Sequence, residues 1–575
     1  MTDTMNILIG HQFVNEVQTV TQLFFPGEGF KHVCSMPAEM PAGYVVVAEI
    51  TGDTAAATVL LDGKEIATRT MPLAGLPLHL PPRRVLMLAL YHALQQAVGA
   101  YTPWGALTGI RPSKMVREWL SQGWSDEKVL ATLADPFCCT QEKGKLALAV
   151  AHAEDRLTAR IYAEAAEKSK AQFLGLTSSP CASNTYPTAR HCGPDPQSPS
   201  ASRLDNTKKQ ATSSNGLRIE STMTVPREVP SYDNRQIGLV CPGLDTGPLP
   251  VGIYISVPFC PTRCVYCSFN VDHNFADKDI YARYVAAVAK ECKAKAARLK
   301  EIGGVVTSIY IGGGTPTVLP EDLLEALLYA VEENFHTLVE YSVEAGRPDT
   351  LTKEKLSILR NGGVNRLAVN PQTLKDATLQ KIGRRHTAAD FFTAFHLARD
   401  MGFSNINTDV IVGLPGETVD DVRRTMEGVT ALSPESITVH TLAVKRASRL
   451  NLEKGEYALP NAHATEAMLD VAQKACESTG LFPYYLYRQK NMVGMFENVG
   501  YAKLGYECLY NVGMMAETQT VLGIGAGAVS KFVEGVGCLA EMQLQPERLH
   551  IRREFNVKNP EVYVARHGEH RASPT

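Results

Sequence analysis

Three cysteines, Cys260, Cys264 and Cys267, fall within eight consecutive positions of the stretch SVPFCPTRCVYCSFN, residues 256 to 270. Clustered thiols are metal ligands once deprotonated. A structural zinc ion takes four protein ligands in a tetrahedron, usually as two separated pairs. Here the second pair is missing, because the next cysteine, Cys292, lies in a stretch with helical patterning. A cubane [4Fe–4S] cluster has four irons, so three thiolates leave one iron open to another molecule. The spacing therefore points to a cluster that works on a bound ligand, with zinc or chance clustering as the competing readings.

Other chemistry-bearing residues follow at intervals. In IGGGTPT (311–317) the side-chain-free Gly312 to Gly314 let a cofactor approach the backbone. No Gly-Lys-Ser/Thr follows, so this is not a phosphate loop. Glu344 in SVEAG and Asp409 in NTDVIVGLPGET offer carboxylates that can orient hydroxyl or amine groups, or merely cap a turn. GIGAGA at 523–528 mimics a dinucleotide fingerprint, but no βα unit with an acid about 20 residues on follows it, and that reading is rejected.

The elements that must position these residues read clearly. Six short β-branched runs (IYISVPF, SIYIGGG, VEYSVEAG, RLAVN, NINTDVIVG, SITVHTL) alternate with helix-length stretches at 279–300, 320–334, 352–361, 388–401, 418–432 and 461–479. Six βα units predict a parallel sheet curled by right-handed crossovers into a full or partial barrel, with its chemistry at the carboxy-terminal ends of the strands. The cysteines fall just after the first strand.

Before this region, YVVVAEI and ATVLLDG read as strands, the second ending in an Asp-Gly turn, and helices follow to about 172. Residues 177–216 contain Leu204 as their one Leu, Ile, Val, Met, Phe or Trp, which predicts disorder; Cys181, His191 and Cys192 within them read as chance neighbours. The expected organisation is an amino-terminal α+β domain (1–172), a disordered linker or insertion (173–245), the barrel (246–480) and a small carboxy-terminal domain closing it (481–575). Residues 545–575 mix charges without period and are expected to be partly disordered.

Bulk composition narrows the function classes. The 575 residues are 45% hydrophobic and 20% charged with a formal net charge of −3, neither a basic excess for nucleic acid nor a polybasic membrane patch. No apolar run approaches the roughly 20 residues of a membrane span, and no signal peptide is readable at the start. Thirteen cysteines, an odd number in a long chain, argue for reduced thiols. A cytoplasmic location is expected, with small molecules or proteins as partners.

CxxxCxxC with Tyr266 before the last cysteine is the pattern of radical SAM enzymes, which the chain resembles from Gly252 to about Gly480. YISVPFCPTRCVYCSF, GGGTPT, SVEAG, RLAVNPQTL, IGRRHTAAD, NINTDVIVGLPGET and LGIGAGAVSK, in this order, resemble the oxygen-independent coproporphyrinogen III oxidase family, which includes related haem chaperones. PWGALTGIRPSKMV (103–116) and SVEAGRPDT are similar to its HemZ type. The fold implied is an α/β radical SAM partial (βα)6 TIM-like barrel.

The resemblance implies a [4Fe–4S] cluster on Cys260, Cys264 and Cys267, with S-adenosylmethionine on the open iron, cleaved by one electron to a 5′-deoxyadenosyl radical. It assigns contacts to that cofactor to Tyr254, Gly313, Glu344 and Val529. A second cofactor molecule would meet Tyr266, Gly314, Thr315, Gln372, Arg384, Asp409 and Ala443. Tyr254 and Arg384 are the expected catalytic groups, although Arg384, beside Arg385 and His386, also reads as a solvated helix-start charge. The implied reaction converts two propionates of coproporphyrinogen III to vinyls with loss of CO2, giving protoporphyrinogen IX. An electron donor such as flavodoxin or ferredoxin is implied. Arg347, Arg384, Arg385, Lys445, Arg446 and Arg488 are candidates for holding substrate carboxylates. Haem carriage and radical methyl transfer are the alternatives. Phe269 replaces a further cysteine of the decarboxylases, and ENVGYAK (497–503) stands where the chaperones carry an HNxxYW-like segment.

Overall fold

Apolar runs at the amino terminus pair into a five-stranded sheet. The structure, a computed structural model, describes residues 4–173 and 248–567 apart from 27, 75–79, 101, 110, 269–278, 337–338, 446, 454, 490–491 and 535–549. The expected linker beyond Phe173, with Cys181, His191 and Cys192, lies outside the described residues, as do Phe269 and Arg446. Strands β1 (Thr4–Ile9), β2 (Phe30–Val33), β3 (Tyr44–Thr51), β4 (Thr54–Leu61) and β5 (Lys64–Pro72) take the order β2-β1-β3-β4-β5. Asp62 and Gly63 form the two-residue turn joining β4 to β5, both at positive φ (51° and 77°).

Helix α1 (Val14–Phe24) and α2 (Pro82–Val98) cover this sheet; α3 (Pro112–Ser121), α4 (Asp126–Ala134) and α5 (Gln141–Phe173) follow. On α5, Ala153, Leu157, Ile161 and Ala165 recur every fourth residue and are all buried; the first three pack against Tyr484, Tyr485 and Leu509. The sequence shows no basic cluster in this region. Folding nevertheless brings Arg83, Arg84, Lys114 and Lys128 around a groove beside Trp119 and Trp124. Those indoles stack on each other at 5.2 Å, and Lys128 lies over Trp124.

The second sheet is built from the βα series: β6 (Leu249–Val257), α6 (Asp279–Glu301), β7 (Gly304–Gly313), α7 (Glu321–Asn334), β8 (Glu340–Glu344), α8 (Lys353–Asn361) and β9 (Arg366–Ala368). It continues with α9 (Asp376–Lys381), α10 (Ala388–Asp400), β10 (Ile406–Val412), α11 (Val419–Ala431), β11 (Ser436–Thr441), α12 (Arg449–Leu452) and α13 (Ala462–Ser478). Strands β6 to β11 pair in parallel, each with the next, so the six βα units read from the sequence form a partial barrel. Thr387 and Thr418 start α10 and α11 in capping boxes with Asp390 and Asp421.

Residues 481–567 add β12 (Phe482–Tyr487), β13 (Asn498–Ala502), α14 (Leu509–Ala516), β14 (Thr520–Ile524), β15 (Val529–Glu534), β16 (His550–Phe555) and α15 (Pro560–His567). They extend both edges of the same sheet, in the order β12-β13-β11-β10-β9-β8-β7-β6-β14-β15-β16. Of 545–575, expected to be partly disordered, residues 550–567 form β16 and α15, and the others lie outside the described residues. An edge strand paired on one side carries charges on both faces and gives no apolar period; Arg552 and Arg553 find their partners in Glu534 and Glu517.

Met1–Ser169 and Asp245–Thr575 form one unit and Lys170–Leu244 another. Within the first, the PWGALTGIRPSKMV segment is a clamp. Trp104 Nε1 donates to Glu497 Oε2 at 2.6 Å, and Lys143 Nζ lies 2.5 Å from Glu497 Oε1. Arg488 donates to the Leu107 carbonyl, and Arg111 pairs with Glu517 at 2.7 Å. No helix among the described residues is long and apolar enough to cross a membrane.

Candidate cluster and cofactor site

Strand parity sets the chemistry of the barrel. On β6, Val251, Ile253, Ile255 and Val257 are fully buried among the covering helices, so Gly252, Tyr254 and Ser256 face the other way. The same two-residue step brings Ser342 and Glu344, Asn407 and Asp409, and Thr438 and His440 around a cavity of about 170 Å³, together with Tyr485 and Tyr487.

The cysteine loop leaves the end of β6 and is tied on three sides. Gly314 N and Thr315 N donate to the Val257 and Phe259 carbonyls, both at 2.7 Å, fixing the loop to the end of β7. Val265 N donates to the Ile382 carbonyl and Leu450 N to the Val265 carbonyl, engaging α9 and α12. Phe259 anchors it in the core against Tyr281 and Tyr284, with centroids at 4.6 and 5.1 Å. Cys264 is buried, Cys260 and Cys267 half-buried.

Burial pushes the Cys260 thiol up to about 11; Thr315, 3.3 Å from its sulfur, works against this, and Cys267 and Cys264 add to it. The three sulfurs thus share one electrostatic neighbourhood. Yet among the described residues no three His, Cys, Asp or Glu converge on a point fit for one metal ion. With Zn–S bonds of about 2.3 Å, tetrahedral thiolates would stand roughly 4 Å apart. Three thiolates leave a tetrahedral zinc one protein ligand short, whereas they suit a cubane that keeps one iron open.

Glycines open the space beside it. At Gly312 a Cβ would lie 2.9 Å from the Glu344 carboxylate and from the Tyr310 ring, and Gly313 sits at φ 104°. Tyr310 Oη donates to Glu344 Oε1 at 2.6 Å. Burial pushes Glu344 up to about 7, against the Tyr310 bond and with the help of the Asp409 charge. Burial would raise Asp409 too, but His440, at 3.6 Å, with Asn407 and Thr438, holds it below the usual range. Asn370 Nδ2 and Asn407 Nδ2 each donate to Asp409 at 2.8 Å. Two neighbouring carboxyls are thereby set apart, one poised to gain a proton and one kept ionised.

Arg384 is 8% exposed, which excludes the solvated-charge reading. Its Nη1 donates to the Gly346 and Asn370 carbonyls at 3.0 and 3.1 Å, and Nη2 to Tyr266 Oη at 3.4 Å; Nε is buried without an acceptor among the described residues. Gln372 stands just past β9 at φ 67°, rare for a residue with a side chain, and its buried Oε1 has no hydrogen-bond partner among the described residues. Tyr254 stacks with Tyr310 and Tyr510 at 6.3 and 5.9 Å. Ala443 bridges to Met492 beyond β11.

Val529 opens β15, past the 523–528 loop. Gly525 N donates to Glu291 and Ala526 N to Tyr284 Oη, whose own hydroxyl donates to the Ser256 carbonyl. The loop therefore sits beside the end of β6, and the strand after it is antiparallel, unlike a dinucleotide βα unit. Tyr254, Gly313, Gly314, Thr315, Glu344, Gln372, Arg384, Asp409, Ala443 and Val529 thus lie on strands or strand-end segments around the cysteine loop that holds Tyr266.

Three substrate candidates are corrected. Arg347 is 3% exposed and bonded to Cys264 and Thr262; Arg384 is committed as above; Arg488 is 5% exposed and holds Leu107 and Met495. Long side chains near the barrel read as mouth charges in sequence, yet their guanidiniums fold inward, those of Arg384 and Arg488 onto backbone carbonyls and that of Arg347 onto side chains of the cysteine loop and Asp349. Arg385 is exposed and Lys445 half-buried. Sequence reasoning missed Tyr310, Asn370 and His440; the signal available was polar residues at alternate positions of apolar strands.

Residues 254–429 match the radical SAM superfamily. The oxygen-independent coproporphyrinogen-III oxidase-like protein HemZ of Bacillus subtilis is 42% identical over 287 residues, 49% of this chain and 57% of that protein. The heme chaperone HemW of the same organism is 35% identical over 280 residues, 48% of this chain and 69% of that protein. Among solved structures, coproporphyrinogen III oxidase HemN of Escherichia coli aligns over 53% of this chain and 71% of its own, with 21% identity and a TM-score of 0.39. The chain belongs to the radical SAM superfamily, in the group of HemN, HemZ and HemW. That family uses a [4Fe–4S] cluster and S-adenosylmethionine. The match spans a little over half the length of the HemZ relative.

Proposed function

We propose that the chain is an oxygen-independent coproporphyrinogen III dehydrogenase, converting two propionate side chains to vinyls with release of CO2. The observation that carries this is the loop of Cys260, Cys264 and Cys267 at the carboxy-terminal end of β6, with buried Arg384 against Tyr266 and Cys264 and with Glu344 and Asp409 in the cavity of the same barrel. When bound, the cluster and S-adenosylmethionine supply one-electron chemistry able to remove an unactivated hydrogen. The chain's residues do the rest. The cysteines deprotonate to hold three irons. Tyr254, Gly313, Glu344 and Val529 orient the cofactor beside them. Gln372, whose Oε1 has no partner among the described residues, and Asp409 accept hydrogen bonds from a second molecule, and Arg384, its Nη groups already taken, offers that molecule the Nε–H that has no acceptor among the described residues.

The cavity is smaller than the roughly 300–1,000 Å³ of ordinary ligand sites, so a tetrapyrrole lies over the strand ends, where Arg385 and Lys445 are within the right loops. Positioning the propionate β-carbon and excluding water are then the protein's contribution. An electron donor such as flavodoxin or ferredoxin supplies the electron that cleaves the cofactor, an electron acceptor takes the electron that the substrate radical loses as CO2 leaves, and the location is cytoplasmic.

A second reading, a haem carrier that retains the cluster, is favoured by the similarity to HemW and by Phe269 in place of a further cysteine. Anaerobic incubation of reconstituted chain with coproporphyrinogen III, S-adenosylmethionine and a reductant separates the two. Protoporphyrinogen is the expected product. Cofactor cleavage without vinyl product, together with stoichiometric haem binding, would overturn the enzyme in favour of the carrier; a methylated product would favour methyl transfer.

A further inference from the structure

Arg347 follows β8 in the GRPDT segment, and each of its guanidinium nitrogens is engaged. Nη1 donates to Cys264 Sγ at 3.4 Å, Nη2 to Thr262 Oγ1 at 2.6 Å and Nε to Asp349 Oδ1 at 3.3 Å. Thr262 in turn donates to the Gly383 carbonyl at 2.9 Å, so the guanidinium is held against the cysteine loop from both sides. A side chain so committed and 3% exposed is poorly placed to receive a substrate carboxylate.

The charges around it do not cancel. Arg384, also buried, acts on Cys264, and half-buried Lys445 acts on Cys267. Among the described residues Asp349 is the carboxylate bonded to Arg347, and His386, 3.9 Å from it, is pushed down to about 4 by burial and the charge of Arg384, hence neutral at pH 7. The corner therefore carries an excess of positive charge, costly to bury unless something anionic completes it. Three thiolates on a [4Fe–4S]2+ core carry a net charge of −1, and −2 after one-electron reduction. Cluster potentials depend on net charge and on hydrogen bonds to the sulfurs, because both stabilise the more negative state.

We propose that Arg347 is a positioning residue that raises the reduction potential of the cluster through its charge and its hydrogen bond to the Cys264 sulfur. This rests on the cluster reading above. The test is an anaerobic potentiometric titration of the reconstituted full chain with dithionite as the one-electron donor, followed by electron paramagnetic resonance, for wild type, Arg347→Gln, Arg347→Lys and Asp349→Asn. Arg347→Gln lowers the reduction equilibrium constant about tenfold, a shift of about 59 mV to more negative potential for one electron. Arg347→Lys recovers part of it. Asp349→Asn, which removes the opposing carboxylate, shifts the midpoint the other way and decides the matter if Arg347→Gln does not hold iron. A merely structural role moves none of these in opposite senses. Unchanged midpoints with wild-type iron content would overturn the role of Arg347 alone, whereas a wild-type chain that takes up no cluster would overturn the parent reading with it.

Discussion

Glu344 and Asp409 lie in one cavity with opposite proton affinities. Burial favours the neutral acid at both; His440 opposes it at both, but only at Asp409 does it, with the Asn407 and Thr438 side chains, reverse the effect. Between the ordinary value of 4.5 and about 7, the folded chain holds a proton on Glu344 that the unfolded chain has lost. The contribution of Glu344 to stability is thus present in full below 4.5 and declines up to about 7. For an amine-bearing cofactor held by the ionised carboxylate the sign is reversed: affinity rises through the same range. Equilibrium dialysis of S-adenosylmethionine on the reconstituted chain should show binding about tenfold tighter at pH 8 than at pH 6, and Glu344→Gln should flatten that rise. The cysteines were legible from spacing because a loop of eight residues is local. The burial of Arg347 and Arg384 was not, because it depends on strand-end loops brought together by the sheet.

At the scale of elements, the βα alternation was legible because each unit declares itself within about forty residues. What closes the far end of the barrel was not. Helix α14 starts on a carboxylate 169 residues earlier: Leu509 N and Tyr510 N donate to Glu340 at 2.5 and 3.2 Å, and the Cys508 thiol lies 3.3 Å from it. Glu340 opens β8 and is buried, so it satisfies the first donors of a helix whose sequence carries no local cap. Removing a buried charged acceptor from these donors costs roughly 1.5–3 kcal/mol. Glu340→Ala should lower the melting temperature and speed amide exchange across 509–516, whereas Glu340→Gln, which keeps one acceptor, should lose less. Equal exchange in wild type and Glu340→Ala would show that packing alone holds α14.

For the whole molecule, one eleven-stranded sheet links the cysteine loop, the polar wall and the carboxy-terminal strands, and the clamp at Glu497 and Glu517 fixes the first 169 residues to it. The sequence pattern showed separate regions in order along the chain; it could not show that 481–567 would supply both edges of the barrel sheet, since edge pairing is a long-range choice. The account rests on a cluster held by three thiolates with one iron open. The most direct test is iron and sulfide analysis of the anaerobically reconstituted full chain with electron paramagnetic resonance of the reduced state before and after S-adenosylmethionine is added. The expected result is about four irons per chain and a signal that changes on addition of the nucleotide, both lost in Cys264→Ser. Bound zinc in place of iron, or a cluster signal indifferent to S-adenosylmethionine, would contradict it.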